Sequence, residues 1–218
     1  AQEYPTIHVY NPDEGQSHVS FSYAGFTGCF TGMNENIMMG EMGYGNRNFE
    51  TLEGIPFVFL YKKIGREAET IEEATDIVEN AQRTCSYVYQ FSGNSEDERH
   101  PAVMMVSDKY RFETLHDDQP FTDEGDDVTY QGIDDVIFAG HDTNILRGYL
   151  VDNHGMMDVE RMIDLGKIAA MDGNVQVVIM TEGAAYVANA ANNDSDDKAG
   201  RASEQKYFRF NMQKYIGD

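Results

Sequence analysis

Two cysteines are the only side chains in this sequence that could act as thiol nucleophiles or form a disulfide. Cys29 and Cys85 lie in different predicted strands. Two thiols allow at most one bridge, and they are too few for a zinc cluster or a CxxC redox motif. Because a free cysteine usually behaves as a small hydrophobic side chain, we expect both thiols to be buried.

Side chains that could bind a metal ion occur in three short segments. Two imidazoles and two carboxylates come from neighbouring stretches of chain: His141, Asp142, Asp152 and His154. They would suit zinc if the stretches met, although their spacing matches no zinc motif. The oxygen-rich runs at 123–127 and 192–197 could hold calcium but lack the ligand spacing of an EF-hand loop. We therefore expect solvated polar surface at these positions, with no bound metal or other cofactor.

The segment from residue 25 to residue 47 combines many glycines with aromatic, Met and β-branched residues. This pattern predicts two strands joined by a turn at residues 33–36, where Asn34 and Glu35 shape the turn because Asn tolerates left-handed backbone. Glycine at this density marks backbone that another group approaches closely. The segment is therefore either a binding or catalytic hairpin or a hairpin packed tightly between two layers.

The composition excludes several classes of function. The chain has 218 residues, of which 38 are Asp or Glu and 16 are Lys or Arg, so its formal net charge is -22. Such a surface repels nucleic-acid phosphates and anionic lipid head groups. No apolar run approaches the ~20 residues that a membrane-spanning helix needs. We therefore expect neither nucleic-acid binding nor membrane insertion.

The charge also bears on where the protein works. Many hydrated carboxylates keep a protein soluble in a salty or extracellular setting. The chain starts with a small residue, Ala1, followed by polar ones, which is the pattern that a processing protease leaves. These features favour an extracellular or secreted protein and leave a cytoplasmic one open.

The order of predicted elements indicates an α+β protein. Alternating patterns predict strands at 6–10, 18–23, 83–91, 102–107, 110–115, 136–139, 175–181, 184–190 and 205–210. Helices are predicted from Pro56 to about residue 67, from a capping box at Thr70 and Glu73, at 144–151, and after an Asp158 cap. Residues 116–130 are predicted to be an exposed loop. Mainly antiparallel sheets layered with helices follow, in one domain over residues 1–218.

Four runs of the sequence resemble a known family in the same order. They are YAGFTGCFTGMNENIMMGEMG (23–43) with the following GIPFVFL (54–60), TIEEATDIVENAQRTCSYVYQFS (70–92), AAMDGNVQVVIM (169–180) and AAYVANA (184–190). The chain thereby resembles the N-terminal-nucleophile acyltransferases and amidases related to penicillin acyltransferase, choloylglycine hydrolase and acid ceramidase. The resemblance implies the four-layer αββα sandwich of that superfamily and cleavage or transfer at an amide bond.

The resemblance also implies where the nucleophile belongs. In that family a cysteine exposed as the first residue by self-cleavage attacks the substrate, and its own α-amine is the base. Ala1 has no nucleophilic side chain, and Cys29 stands far along the chain. We therefore expect either that this chain is the part downstream of a nucleophile-bearing segment or that it has lost the chemistry.

Family analogy assigns the remaining catalytic positions. Gly43 or Tyr44 corresponds to one donor to the oxyanion, and Asn144, in a Thr-Asn pair, resembles a second. Asn174 falls on an Asn-Leu-His position of the family, with Gln176 in place of the histidine.

The predicted substrate contacts come from Asn34, Arg47 and Arg147. The alternative for Asn34 is shaping the turn, and the alternative for the arginines is pairing with local carboxylates. The expected ligand is a small acylated amide. Because sheets that lack strands expose open edges, we also expect a Cys-bearing partner chain or self-association. The competing hypothesis is a non-catalytic secreted binding or assembly module that retains the sandwich.

Overall fold

A computed structural model describes residues 3–43, 50–97, 102–107, 112–123, 128–138, 143–191 and 197–216. The chain divides into two compact units. The larger unit contains Val9–Ser20 and Gly28–Ile137, and the smaller unit contains Ala1–His8, Phe21–Thr27 and Phe138–Asp218. No helix in the described part of the chain is long and apolar enough to cross a membrane.

In the described ranges, seven strands follow the same order along the chain and across one sheet. They are β1 (Pro5–Tyr10), β2 (His18–Tyr23), β3 (Thr31–Asn34), β4 (Ile37–Gly43), β5 (Tyr87–Gly93), β6 (Ala102–Ser107) and β7 (Phe112–His116). The neighbouring pairs from β3 to β7 are antiparallel. This confirms mainly antiparallel pairing and the turn of the glycine-rich hairpin at Glu35 and Asn36.

Two helices of the larger unit bury their apolar faces. The helix α1 (Phe57–Glu67) follows Pro56, whose φ of -59° suits the entry to a helix. The helix α2 (Ile71–Glu79) begins after Thr70, whose hydroxyl accepts a hydrogen bond from the backbone N–H of Glu73. The Glu73 carboxylate accepts from the N–H of Glu69, one residue before the predicted capping-box position. Both predicted helices are therefore present.

Aromatic rings join α1 to β5. The ring of Tyr61 lies 5.5 Å from that of Tyr89 and 5.7 Å from that of Phe91, centroid to centroid. Phe57 stacks on Tyr87 at 3.8 Å. The three β5 residues are two apart, so they share one face of the strand. Burying this aromatic face fixes α1 on that side of the sheet.

The smaller unit contains a three-stranded antiparallel sheet and two helices. Its strands are β10 (Gln176–Thr181), β11 (Ala184–Asn189) and β12 (Phe208–Asn211), and its helices are α3 (Thr143–Asp152) and α4 (Val159–Ala169). Asp158 caps α4 by accepting from the N–H of Arg161.

Three predictions about local structure are wrong. Residues 116–130, predicted as a loop, contain a hairpin of β8 (Phe121–Asp123) and β9 (Val128–Tyr130). Residues 136–138 form only an isolated bridge from Val136 to Ile133, and Ala139 lies outside the described residues. The strand predicted from residue 83 begins only at Tyr87. The preceding Arg83 instead turns inward, and its guanidinium donates to the carbonyl oxygens of Val78, Glu79 and Ala81 at the end of α2.

Candidate functional site

The glycines of the β3–β4 hairpin differ in what surrounds them. A Cβ at Gly32 would lie 2.3 Å from the carbonyl oxygen of Val19 and 2.8 Å from the Cys29 sulfur, so glycine is required there for packing. A Cβ added at Gly40 would lie 3.7 Å from its nearest neighbouring atom, on Gln90, which is an ordinary contact. The backbone carbonyl of Gly40 accepts a hydrogen bond from the Tyr61 hydroxyl. Close packing therefore accounts for Gly32 but not for Gly40.

Asn34 ends β3 and is fully buried. Its amide nitrogen donates to the carbonyl oxygens of Gly65 (3.2 Å) and Ala68 (2.9 Å) at the end of α1. Its amide oxygen accepts from the N–H groups of Asn36 (2.8 Å) and Ile37 (2.7 Å). All four hydrogen bonds of the amide are thus made inside the protein. The residue holds the turn against α1, and its predicted substrate contact stays a prediction.

Gly43 is the last residue of β4 that the structure describes, and it pairs with Tyr87 of β5. This places the predicted oxyanion donor at the end of the hairpin, in the larger unit. Tyr44 and Arg47 lie outside the described residues.

Asn144 and Arg147 lie on α3 in the smaller unit. Thr143 begins the helix and is buried, whereas Asn144 is exposed and forms no hydrogen bond within the described part of the chain. Arg147 is half-buried one turn further along. An amide on the first turn of a helix that no protein group occupies is free to donate to a ligand. The predicted oxyanion role of Asn144 stays a prediction.

Asn174 and Gln176 are both engaged within the smaller unit. The Asn174 amide oxygen accepts from the N–H of Ser203 at 2.9 Å, and its nitrogen lies 3.4 Å from the carbonyl of Gln176. The side chain of Gln176 donates to Asn189 at 2.9 Å. These contacts tie β10 to β11 and to the segment before β12. The predicted catalytic role of Asn174 stays a prediction.

Cys29 does not resemble a nucleophile. Cys29 is fully buried, and burial raises the pKa of its thiol to about 12, even though Ser20 and Lys62 act in the opposite direction. A thiol with this pKa is protonated at neutral pH and unreactive. The burial predicted for Cys29 is confirmed. Cys85 is free but only half-buried, so the same prediction is wrong for it.

A buried histidine of the larger unit is absent from the sequence-based assignments. The ring of His18 stacks on Tyr10 at 4.8 Å, and its Nδ1 lies 3.0 Å from the carbonyl oxygen of Gln16. Burial, followed by the charges of Lys62 and Arg66, lowers the pKa of the imidazole, with the Gln16 carbonyl opposing the shift. His18 is therefore a neutral structural group at neutral pH. Its environment arises from contacts distant in sequence, so no local signal could have identified it.

The proposed metal ligands are not brought together among the described residues. Asp152 and His154 are exposed, and no group of three or more potential ligands occurs in the part of the chain that the structure describes. His141, Asp142 and most of the two oxygen-rich runs lie outside it.

Comparison with known proteins gives two kinds of similarity. No protein-family model matches the chain. Protein dcd1A of Dictyostelium discoideum is 34% identical over 127 residues, and protein dcd1B of the same organism is 31% identical over 121 residues. Each match covers 54% of this chain but only 28% and 24%, respectively, of those longer proteins.

A solved structure resembles nearly the whole chain. The Caenorhabditis elegans N-acylethanolamine-hydrolyzing acid amidase ortholog aligns with a TM-score of 0.55 and 12% identity, over 96% of this chain and 88% of that one. The likeness shows that the chain has the αββα fold of N-terminal-nucleophile hydrolases, which confirms the predicted fold class.

Proposed function

We propose that this chain is part of an amide-bond hydrolase or acyltransferase related to the penicillin acyltransferases, acting on a small acylated amide. The observation that carries the proposal is the likeness of the fold, over 96% of the chain, to an amidase that hydrolyses N-acylethanolamines. The family motifs at residues 23–43 and 169–190 support the same group from the sequence.

The nucleophile in this mechanism comes from outside the given sequence. A cysteine thiolate on a Cys-led segment attacks the amide carbonyl, and the carbon–sulfur bond forms as negative charge moves onto the carbonyl oxygen. The terminal amine takes the thiol proton and gives it to the substrate nitrogen as the carbon–nitrogen bond breaks and the amine leaves. Water then hydrolyses the thioester, which releases the carboxylic acid and regenerates the thiol. Cys29 does not take this role, since its thiol is buried and its pKa is about 12.

The residues of this chain supply the electrostatic part of catalysis. Hydrogen-bond donors aimed at the developing oxyanion stabilise the transition state more than the substrate. In the smaller unit the unoccupied amide of Asn144 is one proposed donor, and in the larger unit the backbone at Gly43 or Tyr44 is another, each proposed by itself from the family resemblance. Arg47 and Arg147 are the proposed contacts for a carboxylate of the substrate, and the catalytic role of Asn174 and the substrate contact of Asn34 stay predictions.

The first experiment asks whether the native material contains a nucleophile. Intact mass spectrometry under denaturing conditions distinguishes a single species at the 24.6 kDa of this chain from a preparation with a companion polypeptide that starts with cysteine. We expect the companion, together with hydrolysis of a fluorogenic fatty-acyl amide. A single species without amidase activity would contradict the proposal.

The second experiment tests the oxyanion donor. Replacing Asn144→Ala should lower kcat by about 100-fold to 1,000-fold, because one donor to the transition state is removed. The control is Ile145→Ala, which truncates the next exposed residue of α3 and should leave kcat unchanged. Equal activity of both variants would exclude Asn144 from the site.

A non-catalytic secreted binding or assembly module is the second candidate. It is favoured by one observation: Asn174 and Gln176, at the family's Asn-Leu-His position, both form hydrogen bonds inside the protein. We propose an extracellular location for either function, since the net charge of -22 suits a salty medium. Secretion of the full-length gene product into the medium would test that location.

A further inference from the structure

The end of the smaller unit carries positive charge on an acidic protein. Residues 205–216, which we call the basic edge, include β12 and contain no Asp or Glu but three cations: Lys206, Arg209 and Lys214. No salt bridge or side-chain hydrogen bond engages any of the three in the described part of the chain. In the same unit Arg161, Lys167 and Arg201 each contact a carboxylate. The cations of the basic edge therefore have no ion-pair partner among the described residues.

Aromatic side chains accompany these cations. Phe208 is 65% exposed, and the Lys206 ammonium lies 5.7 Å from the centre of its ring. Lys214 lies 5.1 Å from the ring of Tyr215, which stacks on Phe210 at 5.1 Å. An exposed aromatic beside unpaired cations is a combination found in interaction surfaces.

The backbone of β12 is also unpaired on its outer side. β12 is the last strand of the three-stranded sheet, and the N–H of Met212 donates to Gly183 at 3.1 Å. Along an antiparallel strand, the backbone N–H and C=O groups of one residue point toward the neighbouring strand, and those of the next residue point away from it. In this register Arg209 and Asn211 therefore direct their N–H and C=O groups away from β11. Neither residue has another backbone partner among the described residues.

We propose that the basic edge binds an extended acidic segment of a partner protein, which adds as a strand beside β12. The unpaired backbone groups give the main-chain hydrogen bonds of strand addition. The cations give charge complementarity to carboxylates. This inference does not depend on the proposed amidase activity.

The chemistry of the surface favours a peptide over other anionic partners. Nucleic acids and anionic membranes are large, so they also meet the rest of the protein surface, whose net charge of -22 repels them. A short peptide responds mainly to charges within a Debye length, about 8 Å at physiological ionic strength. Only a polypeptide can also pair with the strand edge.

The side-chain pattern of β12 defines the partner segment. Phe208 and Phe210 face one side of the sheet and Arg209 the other, because side chains alternate along a strand. A segment in which apolar and acidic residues alternate can therefore place apolar side chains beside the aromatic rings and carboxylates beside Arg209.

The test uses a fluorescein-labelled peptide of ten residues in which Glu and Val alternate, titrated with the full chain. We expect saturable binding in fluorescence anisotropy that weakens as salt is added. A peptide with Pro in place of every Val keeps the charge but loses half of the backbone donors, and it should bind at least about tenfold more weakly. Equal binding of the two peptides would overturn strand addition.

Charge-reversal variants of the protein test the contribution of the cations separately from that of the β12 backbone. The triple variant Lys206→Glu, Arg209→Glu and Lys214→Glu should weaken binding at least about tenfold. The matched control is Lys198→Glu, which reverses another exposed cation of the smaller unit that has no ion pair among the described residues. Unchanged binding of the triple variant would overturn the proposal.

A backbone variant tests the edge itself. Asn211→Pro removes an outward-facing N–H at a residue whose φ of -83° is close to that of proline, so the strand should remain folded. It should weaken peptide binding while circular dichroism is unchanged. Binding to anionic vesicles in preference to the peptide would overturn the choice of partner. Self-association of the chain in sedimentation experiments that the charge reversals abolish would also overturn it, because a second copy of the chain would then bind at the basic edge.

Discussion

The helices α1 and α2 of the larger unit and the helix α4 of the smaller unit all have an apolar stripe but differ in how deeply that stripe is buried. In the larger unit, α1 buries Leu60, Tyr61 and Ile64 almost completely, and α2 buries Ile71, Ala74 and Val78. In the smaller unit, α4 also carries an apolar stripe, yet none of its residues is fully buried. The period of a helix thus identifies its apolar face, whereas the packing partners determine how much stability that face contributes.

The sharpest way to test this difference is a matched pair of leucine truncations. Leu60→Ala should lower the free energy of unfolding by about 3 to 4 kcal/mol, because Leu60 is 1% exposed and truncation leaves a cavity. Leu165→Ala on α4 should lower it by about 1 kcal/mol, since its half-buried side chain loses less contact and leaves no closed cavity. Urea denaturation of both variants measures the two values. Equal losses would contradict the difference in burial.

A second pair compares two asparagines that were both assigned to the site. Asn34→Asp should cost about 3 kcal/mol, because a buried carboxylate would face the carbonyl oxygens of Gly65 and Ala68. Asn174→Asp should cost about 1 kcal/mol, since its amide nitrogen makes only a long contact of 3.4 Å and the residue is half-buried. Thermal unfolding at neutral pH separates the two. An Asn34→Asp protein of normal stability that has lost only substrate binding would show that Asn34 belongs to the site.

The smallest expected effect is the loss of a helix N-cap, for which we expect the same free-energy cost in both units. Thr70→Ala and Asp158→Ala each remove a side-chain cap from the third backbone N–H of a helix, so each should cost about 1 kcal/mol. A cap acts within its own helix and does not depend on tertiary burial. Urea denaturation should therefore give similar values for α2 and α4, and a large difference would mean that packing also determines the value of the caps.

Local chemistry made most of the elements predictable. The Thr70 and Asp158 caps, Pro56 before α1 and the alternation in β1, β2, β10 and β11 act between residues close in sequence, and the structure contains these elements where the pattern placed them. The family motifs added the αββα fold class, which no local pattern contains.

The errors arose where the residue pattern of a short segment did not show which hydrogen bonds its groups would form. Arg83 stands in a run that reads as a strand, but its guanidinium caps the end of α2. The acidic composition around residues 121–130 favoured a loop, yet Phe121–Asp123 and Val128–Tyr130 pair as a hairpin. In both cases the hydrogen-bond partners are close in sequence, so the error lay in choosing between two competing local structures.

The site residues divide in the same way. Residue type suggested that Asn34, Asn144 and Asn174 could each donate a hydrogen bond. Only the structure showed that the first is fully satisfied, that the third is engaged by Ser203, and that Asn144 has an unoccupied amide.

The sequence by itself determined the charge, the helix starts, the turn of the glycine-rich hairpin and the resemblance to amide-cleaving proteins, because these depend on residue type and short spacing. Tertiary structure alone decided that Cys29 is an inert thiol, that the Asn34 amide makes all four of its hydrogen bonds inside the protein and that β12 presents a basic edge. Burial, pKa and the availability of hydrogen-bonding groups are set by atoms distant in sequence, and these are the properties that distinguish a reactive or binding group from a structural one.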